Sequence, residues 1–424
     1  MAERFSFIHC ADLHLGEPFL GISPGMTGNW DRAINQATFQ AFEKVVDVAI
    51  ENRVDALLIS GDVYNSDHHS LAAQMAFARE LYRAAEYGIA SFIIHGNHDP
   101  VENWRAEIPL PPKAHVFGAD EAACVPLERN GKKLANVYGI SYGTAHIYEN
   151  LALRFQRSED VFSIGMLHTE VGNKKSPYAP CSLEDLARSG MDYWALGHVH
   201  TRSIRSQSPY VVYPGNIQGR DITESGPRGC YLVEVGQYGT ISTRFIETDS
   251  LRWMDMEVDI SGFNHIEALI RKIRSERLIL RETVGKPVIL RLLFTGEGKL
   301  HASVASREGQ EYILQALNEK EKLRHVFAYF ALIEDHTAPG MDLKERRQLP
   351  DGLGKYLSVY DSMAAPSDSD PWDTLYHRAA NRPELMKNTL IQPFLTKDMI
   401  QGAFKKAEMY GALLLQEEDE NENH

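Results

Sequence analysis

The sequence predicts an α/β protein, and three observations carry that prediction. Short apolar runs rich in Val, Ile, Tyr and Phe alternate with longer amphipathic segments from the first residues to about residue 250. The runs are cut off by Gly or by polar residues, and Asp, Asn or His repeatedly stands just past their ends. From residue 251 a second, shorter alternation of strand and helix begins, in which such residues no longer cluster. Strands alternating with helices imply a sheet covered by helices on both sides.

The first strand is "RFSFIHC". Between it and "VDALLIS", the residues Ile34, Thr38, Phe42, Val45, Val46 and Ala49 recur at helical spacing. A second helix covers Leu71 to Tyr87 and stops at Gly88, a natural C-terminal cap. The strands "ASFIIHG", "NVYGISY" and "VFSIGMLH" come next. "SLEDLARSG" then reads as a short helix opened by a capping box of Ser182 and Asp185 and closed by Gly190. "DYWALGH", "YVVYPG" and "CYLVEV" complete a first domain, residues 1–250.

Residues 251–340 read as a smaller α/β domain. Its strands are "LRWMDMEVD", "PVILRLLF" and "HVFAYFAL", and its helices span about Asn264 to Arg277 and Glu308 to Lys320. Residues 341–371, ending in "AAPSDSDP", read as a Pro- and Ser-bearing linker. A helical arm is expected over 372–415, and the acidic stretch 416–424, "QEEDENENH", is expected to be disordered and solvated.

Composition narrows the class. At 424 residues, with 43% hydrophobic and 24% charged residues, the chain reads as a soluble globular protein of two or three domains. No apolar run approaches the roughly 18 residues a membrane span requires, so a cytoplasmic protein without a membrane partner is expected. Its 4 cysteines form no C-x-x-C pair, which argues against a thiolate zinc site or a disulfide framework. A net charge of −14 argues against nucleic-acid binding by bulk attraction. Any such binding needs a local basic surface, or metal ions where the phosphate sits.

The chemistry lies in clusters at five strand ends. "HCADLHLG" supplies Asp12 and His14; "LLISGDVYN" supplies Asp62; "IIHGNHD" supplies Asn97, His98 and Asp99; "IGMLHTEVG" supplies His168; and "LGHVH" supplies His198 and His200. Groups just past the carboxyl ends of strands in an α/β sheet converge on one crevice. Carboxylate and imidazole donors together suit Mn(II), Fe(II) or Zn(II), whereas Mg(II) and Ca(II) prefer oxygen alone. A carboxylate able to bridge two such ions would place them about 3.5–4 Å apart. Other histidines have plainer readings: His9 and His95 as packed strand residues, His68 and His69 as a solvated turn.

The series D-x-H, G-D, G-N-H-D, H and G-H-x-H resembles the calcineurin-type metallophosphoesterase superfamily. The wording "IHCADLHLG", "LLISGDVYN", "GNHDP", "LGHVHTR" and "YPGNIQ" resembles more narrowly the SbcD-like nuclease subunits of DNA double-strand-break repair complexes. The resemblance implies a four-layer αββα sandwich with a capping domain over 251–340. It implies that Asp12, His14 and His200 hold one metal ion, that Asn97, His168 and His198 hold the other, and that Asp62 bridges them. His98 would stabilise the phosphoryl transition state or protonate the leaving oxygen, and Asp99 would orient the loop. The implied reaction is hydrolysis of a DNA phosphodiester by a hydroxide activated between two ions, Mn(II) first among them, with no covalent intermediate. An SMC-like ATPase docked on the C-terminal helices and a homodimer are the implied partners. One position departs: related nucleases often carry a histidine three residues after the bridging aspartate, where this chain has Asn65.

Lys174, Lys175, Arg202 and Arg220 come after the ligand segments and are the candidate DNA contacts, positioning phosphates without reading sequence. Two rival readings stand beside the nuclease. One is a phosphodiesterase or phosphatase acting on small or cyclic nucleotides or on phosphoproteins; the other is a scaffold whose metals only hold DNA ends.

Overall fold

The computed structural model describes residues 3–19, 29–65, 70–103, 108–321, 324–340, 343–364, 371–382 and 396–421. His68 and His69 therefore lie outside the described residues. So does most of the Pro- and Ser-rich stretch before Pro371.

Two six-stranded sheets form the body. In chain order the strands are β1 (Phe5–Cys10), β2 (Ala56–Ser60), β3 (Ala90–Ile94), β4 (Ala114–Val116), β5 (Ala123–Arg129), β6 (Lys132–Gly139), β7 (Ser163–His168), β8 (Tyr193–Gly197), β9 (Ser203–Gln207), β10 (Tyr210–Tyr213), β11 (Gly229–Val235) and β12 (Ile241–Glu247). One sheet runs β12-β11-β1-β2-β3-β4 and the other β5-β6-β7-β8-β10-β9. Strands β1 to β4 are mutually parallel, as are β6, β7, β8 and β10, while β11 and β12 close the first sheet antiparallel.

Both faces of the central strands are buried, and alternation along each strand assigns its residues to two cores. In β2, Ala56 and Leu58 face the second sheet and pack with Phe7, Ile164, Met166, Tyr193 and Val212, filling the space between sheets. Leu57 and Ile59 face outward, where helices α1 (Asn29–Glu51) and α2 (Leu71–Glu86) cover the sheet with Phe42, Val45, Phe77 and Leu81. The far face of the second sheet packs Trp194 and Leu196 against Leu186 of α3 (Leu183–Arg188) and against Leu151 and Phe155 around a short 3-10 helix. The result is the four-layer αββα arrangement. The Ser182 and Asp185 capping box is present, and Ser70 caps α2, whose chain turns away at Gly88 with φ +82°.

The remaining strands, β13 (Arg252–Asp259), β14 (Val288–Thr295) and β15 (Ala328–Asp335), form a three-stranded sheet in that order. Helices α4 (Ile266–Val284), α5 (His301–Ala305) and α6 (Arg307–Asn318) lie between them in sequence. The chain divides into two compact units. The first is Met1–Met256 with Arg274–Leu292 and Leu314–Ile333; the second is Glu257–Ile273 with Leu293–Ile313 and Glu334–His424. Within the first, the Trp30 indole donates to Glu321 O at 3.2 Å, and Arg277 and Arg281 pair with the buried Glu321 carboxylate.

The expected linker needs correction. Residues 343–346 and 352–364 are helical (α7, Leu343–Arg346; α8, Gly352–Ala364), because Leu353 and Leu357, one turn apart, bury against Ala412 of the C-terminal helix. Pro371 does not prolong a linker; it opens α9 (Pro371–Ala380), where a proline's missing N–H is no loss. The expected disordered tail is likewise helical as far as Asn421, since the C-terminal helix spans Lys397–Asn421 and Glu and Gln favour continuing it. All 4 cysteines are free, and Cys10, Cys181 and Cys230 are buried. Among the described residues no helix is long and apolar enough to cross a membrane.

Candidate metal centre

The carboxyl ends of β1, β2 and β3 in one sheet meet those of β7 and β8 in the other, and buried polar ties hold the sheets together there. Ser60 Oγ donates to Ala195 O at 3.0 Å, and the fully buried His9 ring bridges Tyr193 Oη at 3.0 Å and Leu196 O at 3.1 Å. Burial pushes the His9 imidazole down to about 3, so the ring is neutral and structural.

Each strand end then delivers its polar residue through a tight turn. Asp12, His14, Asp62 and His198 all adopt positive φ (52°, 43°, 50° and 96°), a backbone state that costs a non-glycine residue about 1–3 kcal/mol. The turns are locked by Asp12 N to Gly61 O and His14 N to Asp62 O, each 3.0 Å, and by His198 N donating to Asp12 Oδ1 at 3.0 Å. Gly96 is obligatory: a Cβ there would stand 2.2 Å from Asp62 Oδ1 and 2.8 Å from His168 Nε2.

The donors gather in two overlapping sets. Asp12, His14, Asp62 and His200 place ligand-type atoms within 4.8 Å of one another. Within that set His14 Nε2 and His200 Nε2 are 3.3 Å apart, and Asp62 Oδ2 lies 3.8 Å from His14 Nε2. On the other side Asp62 Oδ2 is 3.3 Å from His168 Nε2, and Asn97 Oδ1 is 3.1 Å from both His168 Nε2 and His198 Nδ1. Asp62 therefore touches both sets. Asp12, His14, Asp62 and His168 are buried. Two imidazole nitrogens aimed at each other beside carboxylates, in a buried pocket, fit a borderline divalent cation between them, and the oxygen and imidazole donors suit Mn(II), Fe(II) or Zn(II).

Electrostatics are polarised accordingly. Burial, with Asp62 nearby, pushes the Asp12 carboxyl up. Burial would also raise Asp62, but His168, by charge and hydrogen bond, and His14 hold it well below the usual range. Burial opposes a charge on His168, yet Asp62 and Asp12 raise it to about 9; burial lowers His198 to about 3.

His98 is exposed at the mouth of the cluster. Its backbone N–H donates to Asp62 Oδ1 at 2.9 Å, and its ring centroid lies 5.1 Å from that of His14. Asp99 is buried below: Oδ1 accepts from Gly96 N at 2.7 Å, while Oδ2 accepts from Val63 N at 3.1 Å and meets His95 Nδ1 at 2.8 Å. His95 is a packed residue, as expected, but it stands one position past the end of β3 and also braces this loop through Asp99.

Several supporting residues carry no signal in the sequence. Glu224 Oε1 meets His200 Nδ1 at 2.5 Å, and Glu17 Oε2 lies 2.9 Å from His14 Nδ1, close enough for an ion pair though without hydrogen-bond alignment. Arg228 donates to His200 O and, at 3.0 Å, to Asn216 Oδ1. The one hint is the polar stretch "YPGNIQGRDITES", which holds Asn216, Arg220 and Glu224.

The candidate phosphate contacts divide. Lys174 and Lys175 are exposed on the turn after β7. Arg202 is exposed but lies over the Phe245 ring, 4.2 Å from its centroid, and donates to Pro227 O at 2.8 Å. Arg220 is largely enclosed, and its guanidinium bonds Glu17 Oε2 and reaches Glu224 Oε1 at 3.5 Å. Asn65, the departing position, donates to Glu17 Oε1 at 3.4 Å.

Comparison with known proteins agrees with this geometry. Residues 5–202 match the family model described as calcineurin-like phosphoesterase, and residues 253–331 match the middle domain of metallophosphoesterase YhaO. A Bacillus subtilis protein named "Uncharacterized metallophosphoesterase YhaO" is 36% identical over 345 residues, covering 80% of this chain and 83% of its own. DNA double-strand break repair proteins Mre11 of Sulfurisphaera tokodaii and Aeropyrum pernix are each 27% identical. Those matches cover 65% and 66% of this chain, and 70% and 71% of theirs.

Proposed function

Since the chain belongs to the calcineurin-like metallophosphoesterase family, and is by that membership a phosphoester hydrolase, we propose that it is a binuclear-metal DNA nuclease, a repair exonuclease acting with an SMC-like ATPase. The observation that carries the reading is the convergence of six donor residues around Asp62, with His98 exposed at their mouth. Asp12, His14 and His200 would hold one divalent ion and Asn97, His168 and His198 the other, with Asp62 next to both sets. Mn(II) is the proposed metal, with Fe(II) and Zn(II) as alternatives. Two such ions supply Lewis acidity and a water ionised near neutral pH.

The chain's own residues do the rest. Asp62 and Asp12 fix the donor geometry through the backbone N–H groups of His98 and His198. His98 supplies a ring N–H to a non-bridging phosphoryl oxygen as charge builds on it, or a proton to the departing oxygen. Asp99, held by three partners, keeps the His98 loop from moving away. DNA as substrate rests on the names of the archaeal relatives and on the exposed Lys174, Lys175 and Arg202 in the segments that follow His168 and His200. The C-terminal helices offer the ATPase its docking site, and the nuclease works as a homodimer in the cytoplasm.

One observation favours a second reading, a phosphodiesterase for small or cyclic nucleotides. Arg220 is taken up by Glu17 and Glu224, which leaves fewer cations for a polyanion on a chain of net charge −14. Purified protein with Mn(II) should be given linear double-stranded DNA, single-stranded DNA, a cyclic nucleotide and a chromogenic diester. Cleavage of DNA and of the chromogenic diester supports the nuclease. Turnover of the small substrates without DNA cleavage favours the second reading, and metal-dependent DNA binding without turnover favours an end-holding scaffold. Deleting residues 372–424 should abolish co-purification with the ATPase and spare diester hydrolysis; loss of both would sink the docking assignment.

A further inference from the structure

The two halves of the donor cluster are braced in different ways. His14 and His200 aim Nε2 at each other, and each turns Nδ1 to a carboxylate: Glu17 at 2.9 Å and Glu224 at 2.5 Å. One guanidinium then joins the two carboxylates, because Arg220 bonds Glu17 Oε2 and reaches Glu224 Oε1 at 3.5 Å. The second oxygen of Glu224 accepts from Arg220 N and from Asn216 Nδ2, each at 2.8 Å. The bracing is largely shielded from solvent, with side-chain exposures of 18% for Glu17, 13% for Arg220 and 8% for Glu224. Among the described residues the other half has no such carboxylate behind it: His168 Nδ1 faces the neutral carbonyl of Ser60 at 2.9 Å, and the His198 ring rests on Tyr178, 4.5 Å between centroids.

We propose that Glu17, Glu224 and Arg220 make the half-site of Asp12, His14 and His200 the tighter of two unequal metal sites, so that the two ions load in order. The inference rests on the ligand assignment above. At His200 the hydrogen bond to Glu224 fixes the tautomer that leaves Nε2 free to bind, while at His14 the Glu17 carboxylate, close but not aligned for a hydrogen bond, acts through its charge. Arg220 holds both carboxylates in place and offsets their charge. The first half-site also contributes the anionic Asp12 where the second contributes the neutral Asn97, which adds in the same direction. Arg220, Glu17 and Glu224 are positioning residues, acting through the histidines they face.

Calorimetric titration of the full-length, metal-free protein with Mn(II) alone tests this. Two classes of site are expected, at least about tenfold apart in Kd. Electron paramagnetic resonance should show an isolated ion after the first equivalent and a coupled pair only after the second. Asn97→Ala should remove the weak class and keep the tight one. Arg220→Ala should weaken the tight class by about 10–100-fold and leave the weak class unchanged. If Arg220→Ala fails to fold by circular dichroism, Glu17→Gln, which keeps the side chain's shape, carries the same comparison. One class of two equal sites, or a change in the weak class alone, would overturn the inference while leaving the nuclease reading intact. No Mn(II) binding at all would overturn the metal assignment along with it.

Discussion

At the scale of single residues, the motif residues are legible because chemistry restricts which side chains can serve. Asp12, His14, Asp62, Asn97, His168, His198 and His200 stand out by type and by position after strands, and the structure brings all of them into one cluster. Glu17, Glu224, Arg220 and Arg228 do not, because a glutamate or arginine in a loop carries no signature until its partner is known. Arg220 is the instructive case: its charge suggests a phosphate contact, and only the structure shows that its guanidinium pairs with Glu17 and Glu224. His9 yields a test of its own. With its folded value near 3 and an ordinary value of 6.5, the unfolded chain takes up a proton below about pH 6.5 that the folded chain refuses. Stability is therefore lost as pH falls from 6.5 toward 3, at up to about 1.4 kcal/mol per pH unit from this residue. Urea unfolding between pH 7 and pH 5 should show a shallower pH dependence for His9→Gln than for the natural chain. Equal slopes would mean that His9 titrates normally.

At the scale of elements, central strands and capped helices are readable and edges are not. Strands β1, β2, β3, β7 and β8 are apolar runs because both faces are buried. The edge strands β9, "SIRSQ", and β12, "ISTRFIE", are half polar and escape notice, since an exposed face admits any side chain. Helix α8 is hidden by the polar, Pro-bearing stretch after it, although Leu353 and Leu357 bury as a helical pair. Packing between the sheets is tight where β8 ends: a Cβ on Gly197 would stand 1.9 Å from Ser60 O and 2.8 Å from His168 Nδ1. Gly197→Ala should destabilise the protein by about 1–3 kcal/mol, read as a lower thermal midpoint, and should weaken Mn(II) binding by displacing His168. An unchanged midpoint with unchanged Mn(II) affinity would show that the strand ends have more room than this.

At the scale of the whole molecule, the sheet-on-sheet architecture explains how residues from 12 to 200 in the chain reach one point. Parallel strands in each sheet send their carboxyl ends to the same edge. The overall charge of −14 sets the terms for substrate. DNA retention on a filter should require Mn(II) and vanish with a chelator, because the metal centre and a few exposed basic residues must outweigh that charge. Retention unaffected by chelation would place DNA on a surface remote from the cluster. The central claim is that the cluster around Asp62 cleaves phosphodiesters with His98 assisting. Its most direct test is the Mn(II)-dependent cleavage rate of linear double-stranded DNA by the natural protein, Asp62→Ala and His98→Ala. Cleavage is expected in the first and none in the second. In the third it should fall by about 10²–10⁴-fold with Mn(II) binding retained. Cleavage that survives in Asp62→Ala, or a His98→Ala rate equal to that of the natural protein, would contradict the account.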